Sequence, residues 1–240
     1  MLKRTFITQI LLFGIFAIVI EAAPKKGSDG ASSSSFNPMK SLKKMLTKET
    51  FLKKFEVRDV DSGKNVNYTI KYIPESKFGE VLKLMSEHYL RDEPLSASKS
   101  NDREEAKEKW LQILHDKKSV ACFDQSNNIV GICLLYTKPK HPDPEKQLMT
   151  GFNIFEYYGV NAYLRGDSML VLPKYRGLSI GKHMLSCGKK ICKDSGLKVM
   201  SSHFTSNYSN RIADELGYEP NGEYGQVGDH TIYLKSIKYD

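Results

Sequence analysis

The chain has 240 residues, enough for one domain of roughly 150 to 200 residues with an appendage. Its net charge of +8 is uneven: residues 1–55 carry ten Lys/Arg against three Asp/Glu, and the remainder 26 against 25. A body so close to neutral argues against a nucleic-acid-binding core, where a basic face on the folded domain is expected.

Met1 to Ala23 has the layout of a secretory signal. Lys3 and Arg4 form a positive start, Phe6 to Ile20 is an apolar run interrupted by Thr8 and Gln9, and the small residues Ala22 and Ala23 precede Pro24. The run falls short of the roughly 17 to 25 residues of a membrane span. A signal peptide over 1–23 and a secreted chain are the expectation. A retained signal anchor or a mere hydrophobic start, and so a membrane-anchored or cytoplasmic chain, are the alternatives. Pro24 to Pro38 is a Gly/Ser-rich linker. Met39 to Phe55 is basic, with apolar Leu42, Met45, Leu46, Phe51, Leu52 and Phe55. That pattern suits a cationic amphipathic helix, either weakly attracted to an anionic membrane surface or simply solvated ahead of the domain. The folded domain is expected over 55–240.

Val57 to Val60 and Val66 to Ile73, joined by Asp61-Ser62-Gly63-Lys64, read as a hairpin. Pro74 opens a helix through Leu90 with Phe78, Val81, Leu82 and Met85 on one face. A proline follows Glu93, so that residue belongs in a turn or extended backbone. A second helix spans about Asp102 to Lys117 and carries the single Trp, Trp110. Ser119 to Asp124 and Ile129 to Tyr136 form a second hairpin. A proline-rich loop, Lys138 to Pro144, leads to an aromatic segment ending near Tyr158. Met169 to Leu172 is a strand, Met184 to Cys192 a helix and Lys198 to Phe204 a strand. Asn207 to Leu216 is a helix closed by Gly217. Strands near Gly222 to Gln226 and Thr231 to Ile237 finish the chain. This order predicts an α/β domain with a mixed central sheet.

Between the strand ending at Leu172 and the helix after it lies Pro173-Lys174-Tyr175-Arg176-Gly177-Leu178-Ser179-Ile180-Gly181. Strand, glycine turn and helix make an anion site, because the first helical N–H groups have no partner inside the helix. The turn lacks both G-x-G-x-x-G and a G-K-S/T ending. It resembles motif A of the GNAT acetyltransferase superfamily, a V-x-P strand end followed by R-G-x-G-I-G. Val171, Pro173, Arg176, Gly177, Ile180 and Gly181 match, and Ser179 stands where a glycine is usual. Two further stretches resemble the insect-type arylalkylamine (dopamine) N-acetyltransferases of that superfamily. His88-Tyr89-Leu90-Arg91-Asp92-Glu93-Pro94-Leu95 is similar to their F-x-x-D-E-P-L element. Thr205-Ser206-Asn207-Tyr208-Ser209 with Glu215-Leu216-Gly217-Tyr218 is similar to their S-S-H-Y-S-A-R…L-G-F segment.

The resemblance covers roughly residues 55 to 238 and implies a GNAT fold. It implies that acetyl-CoA is the cosubstrate, its pyrophosphate on the backbone N–H groups from Arg176 to Lys182 and its pantetheine arm on Leu170 and Val171. It implies a small amine, of the arylalkylamine class, as acceptor. An amine with a pKa near 10 arrives protonated and must lose that proton before it attacks a thioester. The resemblance gives the base role to Glu93 and the hydroxyl roles to Thr205 and Ser209. Thr205 replaces a serine and keeps the hydroxyl. A turn acid at Glu93, and helix-start residues at Thr205 and Ser209, are the plainer alternatives. His183 and His203, near the site, read as packing or surface residues. The histidines and cysteines show no metal-ligand spacing, and a monomer is expected.

Cys122 should face Gly131, with Cys133 one diagonal step away, which is awkward for a disulfide. Four free thiols are expected, and they fit a reducing compartment better than export. Sequons occur at Asn67 and Asn207. Because acetyl-CoA is largely intracellular, a secreted, non-catalytic binding protein on the same scaffold is the competing expectation.

Overall fold

The computed structural model describes residues 51–58, 63–92, 103–142, 152–227 and 230–240. All fall within one compact unit, Met39–Asp240. The signal-like run, the linker, the basic segment up to Thr50 and Glu93 lie outside the described residues.

Among the described residues eight strands form one sheet in the order β1-β2-β3-β4-β5-β6-β8-β7. They are β1 Phe51–Arg58, β2 Asn65–Tyr72, β3 Val120–Phe123, β4 Ile129–Pro139, β5 Ala162–Val171, β6 Val199–Phe204, β7 Glu219–Val227 and β8 His230–Lys238. Neighbours run antiparallel except β5 and β6, which are parallel. This is the mixed sheet expected from the element order.

The strand β1 starts at Phe51, so residues 51–55 are strand and not the end of a basic helix. The reason is periodicity. Phe55 and Val57 are half-buried and alternate with exposed Lys54, Glu56 and Arg58, which is period two. Phe55 stacks on Tyr68 at 5.6 Å between ring centroids.

Helices cover both faces. The first, α1 Phe78–Leu84, continues through a π turn, Met85–Tyr89, and a helical turn, Leu90–Asp92. It therefore runs two residues past the expected end at Leu90. The Ser86 hydroxyl donates to the Leu82 carbonyl at 2.7 Å where the wide turn begins, and such back-bonding bends helices. Next comes α2, Arg103–His115. Phe78, Val81, Met85, Trp110 and Leu114 bury against Ile132, Leu134 and Leu170 of the sheet. On the opposite face lie α4 Ile180–Ser186, α5 Gly188–Asp194 and α6 Asn207–Glu215. Met184, Ile191 and Ile212 pack there on Val130, Leu164 and Met200. A short α3, Ile154–Tyr158, puts Ile154 and Phe155 on Tyr163, Val199 and Leu234.

The single helix expected over Met184–Cys192 starts earlier and is broken at Cys187. Its packing explains the break. A Cβ on Gly188 would stand 2.4 Å from the Met200 sulfur, so this helix approaches β6 closely at that point. Gly131 serves the same purpose on β4, where a Cβ would meet Ile180 and Met184 at 3.0 Å.

Two irregularities of β5 shape the site. It begins at Ala162, not Met169, because Arg165, Asp167 and Ser168 interrupt what would otherwise be an apolar run. Opposite β4, Leu134 pairs with Ser168 and Leu135 with Gly166, which leaves Asp167 as the extra residue of a bulge. On its other edge, β5 pairs with β6 only from Leu164–Met200 to Gly166–Ser202. Beyond that point the two strands part.

Candidate active site

The fork between β5 and β6 opens into a cleft of about 930 Å³. One wall is β5 from Arg165 to Val171. The other is the end of β6 with Thr205, Ser206, Tyr208 and Ser209. Tyr89, Leu90 and Asp92 at the end of α1 close one side, with Trp110 from α2. The π turn and the β5 bulge both border the cleft, and both irregularities are common beside functional sites.

The glycine turn stands at the far end of β5. Pro173–Tyr175 form a 3-10 turn, Gly177 has φ +80°, and Ser179 has φ +57° at the N-cap of α4. The Ser179 side chain makes no capping hydrogen bond. Leu170, Val171, Arg176, Gly177, Ile180 and Gly181 line the cleft. Leu178, Ser179 and Lys182 do not, and Lys182 is paired with Glu215 at 2.9 Å.

Arg176 ties the turn to the wall opposite. Its Nη2 donates to Asp92 Oδ2 at 2.5 Å and its Nε to the Val171 carbonyl at 3.2 Å. Asp92 also accepts from Arg91 Nε at 2.6 Å. Hydrogen bonds from Arg91 and then Arg176 hold the Asp92 carboxyl well below the usual carboxylate range. Glu93 follows Asp92 directly in the chain.

Thr205 and Ser209 both reach the cleft. Ser209 also belongs to a capping box: its N–H donates to Ser206 Oγ at 3.1 Å and its Oγ accepts from the Ser206 N–H at 3.2 Å. The helix-start role weighed for Ser209 is therefore real, and it coexists with a place in the cleft wall.

Several lining residues escape a sequence reading. Asp167 at the bulge pairs with Lys109 at 2.7 Å and accepts from Ser168 at 2.7 Å. Arg165 meets His203 Nδ1 at 2.6 Å. The spacing of Arg165 and Asp167, two apart, was the available signal for charges along one strand face. His203, expected near the site as a packing or surface residue, is half-buried and lines the cleft. Burial, then Arg165 and Lys138, push its pKa down to about 4. His183 does pack, with its ring 3.8 Å from Phe55. Tyr89 and Trp110 make an edge-on aromatic pair at 5.9 Å. Among the described residues no three His, Cys, Asp or Glu are grouped to hold a metal ion.

The acetyltransferase (GNAT) family model matches residues 82–218. A chain from the yellow fever mosquito Aedes aegypti, assigned as arylalkylamine N-acetyltransferase 7, has 22% identity and a TM-score of 0.71, covering 80% of this chain and 95% of its own. Arylalkylamine N-acetyltransferase 2 of Aedes aegypti has 17% identity and a TM-score of 0.65, covering 72% and 99%. The Drosophila melanogaster polyamine N-acetyltransferase, which forms N-acetylagmatine, has 17% identity and a TM-score of 0.63, covering 71% and 99%. At such identities the likeness is one of fold. With more than half its length matched by the family model, and with the forked sheet in place, the chain belongs to the acetyltransferase (GNAT) family and is an acyltransferase.

Proposed function

We propose that the protein is an acetyl-CoA-dependent N-acetyltransferase acting on a small amine, of the arylalkylamine class, by direct transfer with Glu93 as general base. The fork between β5 and β6 is the observation that carries this. Among the described residues no strand pairs with the inner edge of β5 beyond Gly166, so its backbone N–H and C=O groups are available to an amide-bearing arm.

The residues present fit the cosubstrate. No atom lies within 4 Å of a Cβ built on Gly177, and a Cβ on Gly181 would make only ordinary contacts, so the turn leaves room at its backbone. Leu170 and Val171 would hold the pantetheine arm. The backbone of Arg176, Gly177, Leu178, Ser179, Ile180, Gly181 and Lys182 would hold the pyrophosphate. The cosubstrate supplies the acetyl group as a thioester.

The chain's own groups do the rest. Glu93 follows a cleft-lining aspartate and would take the ammonium proton. Thr205 and Ser209 would present hydroxyls to position the amine or protonate the departing sulfur. Half-buried Tyr89, backed by buried Trp110, gives an aromatic acceptor a surface to pack on. The names of the mosquito and fly neighbours, arylalkylamine and polyamine N-acetyltransferases, support an amine acceptor.

The test is an acetyl-transfer assay with tyramine, dopamine, serotonin and spermidine on the native chain and on Glu93→Gln. General-base loss should lower kcat by about 10²–10⁴-fold. Undiminished turnover in the variant would remove Glu93 from the base role.

A further inference from the structure

The cleft's inner end has an unbalanced charge. Asp92 is matched by Arg91 and Arg176, and Asp167 by Lys109. Glu105, the other lining carboxylate, is exposed. Arg165 stands at the vertex of the fork, one residue before β5 and β6 stop pairing. Among the described residues it forms an ion pair with no carboxylate, and neither does Lys138 on β4 beside it. Both are half-buried. They feel one another, since burial and then Arg165 lower the pKa of Lys138.

Their shared neighbour does not compensate. Arginine can only donate, so the 2.6 Å contact makes His203 Nδ1 the acceptor and puts the proton of the neutral ring on the other nitrogen. His203 is thereby neutral and has no lone pair left at Nδ1 for base chemistry. Arg165 also lies against the half-buried phenol of Tyr136 and the buried one of Tyr163, where it offsets part of the pKa rise that burial imposes. Two half-buried cations with no carboxylate paired to either among the described residues are costly unless an anion joins them. The place for that anion is the cleft, which Arg165 and His203 line.

We propose that the acceptor carries an anionic group, a carboxylate or a phosphate, as well as its amine, and that Arg165 binds that group with Lys138 behind it. This rests on the acetyl-transfer function above and narrows its substrate class. With Tyr89 and Trp110 in the same cleft, the acceptor is an aromatic amine bearing an acid, of the kind an aromatic amino acid exemplifies.

Matched pairs that differ only in the acid test it. Acetyl-CoA binding is measured by calorimetry on the full chain. kcat/KM is then compared for tyramine and tyrosine, tryptamine and tryptophan, and tyramine and its phosphate ester. The acid-bearing member of at least one pair should be preferred by tenfold or more, and the pairs separate carboxylate from phosphate. In Arg165→Gln the ratio within that pair should fall to about one, and Arg165→Lys should restore part of it. Lys138→Gln should lower the ratio less, and it keeps the inference testable if Arg165→Gln does not fold. Acetyl-CoA binding with preference for every acid-free member, or a ratio unchanged in both glutamine variants, would overturn the inference and leave acetyl transfer standing. No heat with acetyl-CoA and no transfer to any amine would overturn both.

Discussion

Ser179 holds a backbone conformation that its side chain does not favour. Its φ of +57° lies in the left-handed region, which costs an L residue roughly 1–2 kcal/mol. Glycine avoids that cost, and its looser unfolded chain offsets about 0.4–1 kcal/mol of the gain. Ser179→Gly should therefore stabilise the fold by about 0.5–1 kcal/mol, seen as a Tm rise of about 1–4 °C. A lower Tm would mean that the serine makes a compensating contact. The departure from the family motif was plain in the sequence, but its cost was not, because only the φ reveals it. His203 carries a pH dependence. Its folded pKa of about 4 lies below the unfolded value near 6.5. The unfolded chain therefore binds the extra proton between those values. The stability from the neutral ring is complete above about pH 6.5 and is lost as the pH falls toward 4. Allowing for partial exposure, about 1–2 kcal/mol is at stake. Urea melts of the native chain and His203→Gln at pH 7, 5.5 and 4.5 measure it. The variant should show a flatter profile, and an equal slope in both would assign the acid sensitivity to carboxylates.

At the scale of the element, α6 shows one residue serving fold and cleft together. Ser206 caps it, and losing such a cap costs about 1 kcal/mol. Ser206→Ala should thus lower Tm. Ser209→Ala should lower both Tm and kcat, because its hydroxyl completes the capping box and the residue also lines the cleft. Thr205 precedes the cap, so Thr205→Ala should lower kcat and leave Tm within about 1 °C. Thermal melts beside steady-state kinetics separate the three. Full kcat in Ser209→Ala would confine that hydroxyl to the cap. The same helix was legible beforehand, since an Asn207 start and a Gly217 stop are local signals, and Gly217 does take a positive φ of +80°. Elements whose ends depend on distant contacts were not. The break at Cys187 follows from Gly188 lying against Met200. The early start of β5 follows from Arg165 and Asp167 finding partners on β6 and α2. Phe51 to Phe55 join the sheet because β2 pairs with them.

Across the whole molecule, the order of strands and helices could be read from periodicity, while the fork could not. It depends on one parallel pairing, β5 with β6, that stops at Gly166–Ser202, and on a bulge that turns β5 away. The sequence around Gly166 carries no local mark of either, so Asp167 and Arg165 came to light only with the register. The glycine turn could be found because a family motif, not the fold, marks it, and Glu93 is proposed on a motif of the same kind. The cysteines connect the fold to the compartment question. Cys122 does face Gly131, and all four cysteines are free and buried. Burial pushes Cys122, Cys133 and Cys192 up to about 12 and Cys187 up to about 11. Thiolates are the reactive form, so these side chains are inert in the native state whatever the redox poise. Passage through an oxidising secretory route, which we propose from Met1 to Ala23, would then neither require nor damage them. A thiol reagent should find no reactive group in the native protein and all four in denaturant, and reductant should leave Tm unchanged. A Tm that falls on reduction would show that the chain relies on a disulfide, and would sink this account of the core.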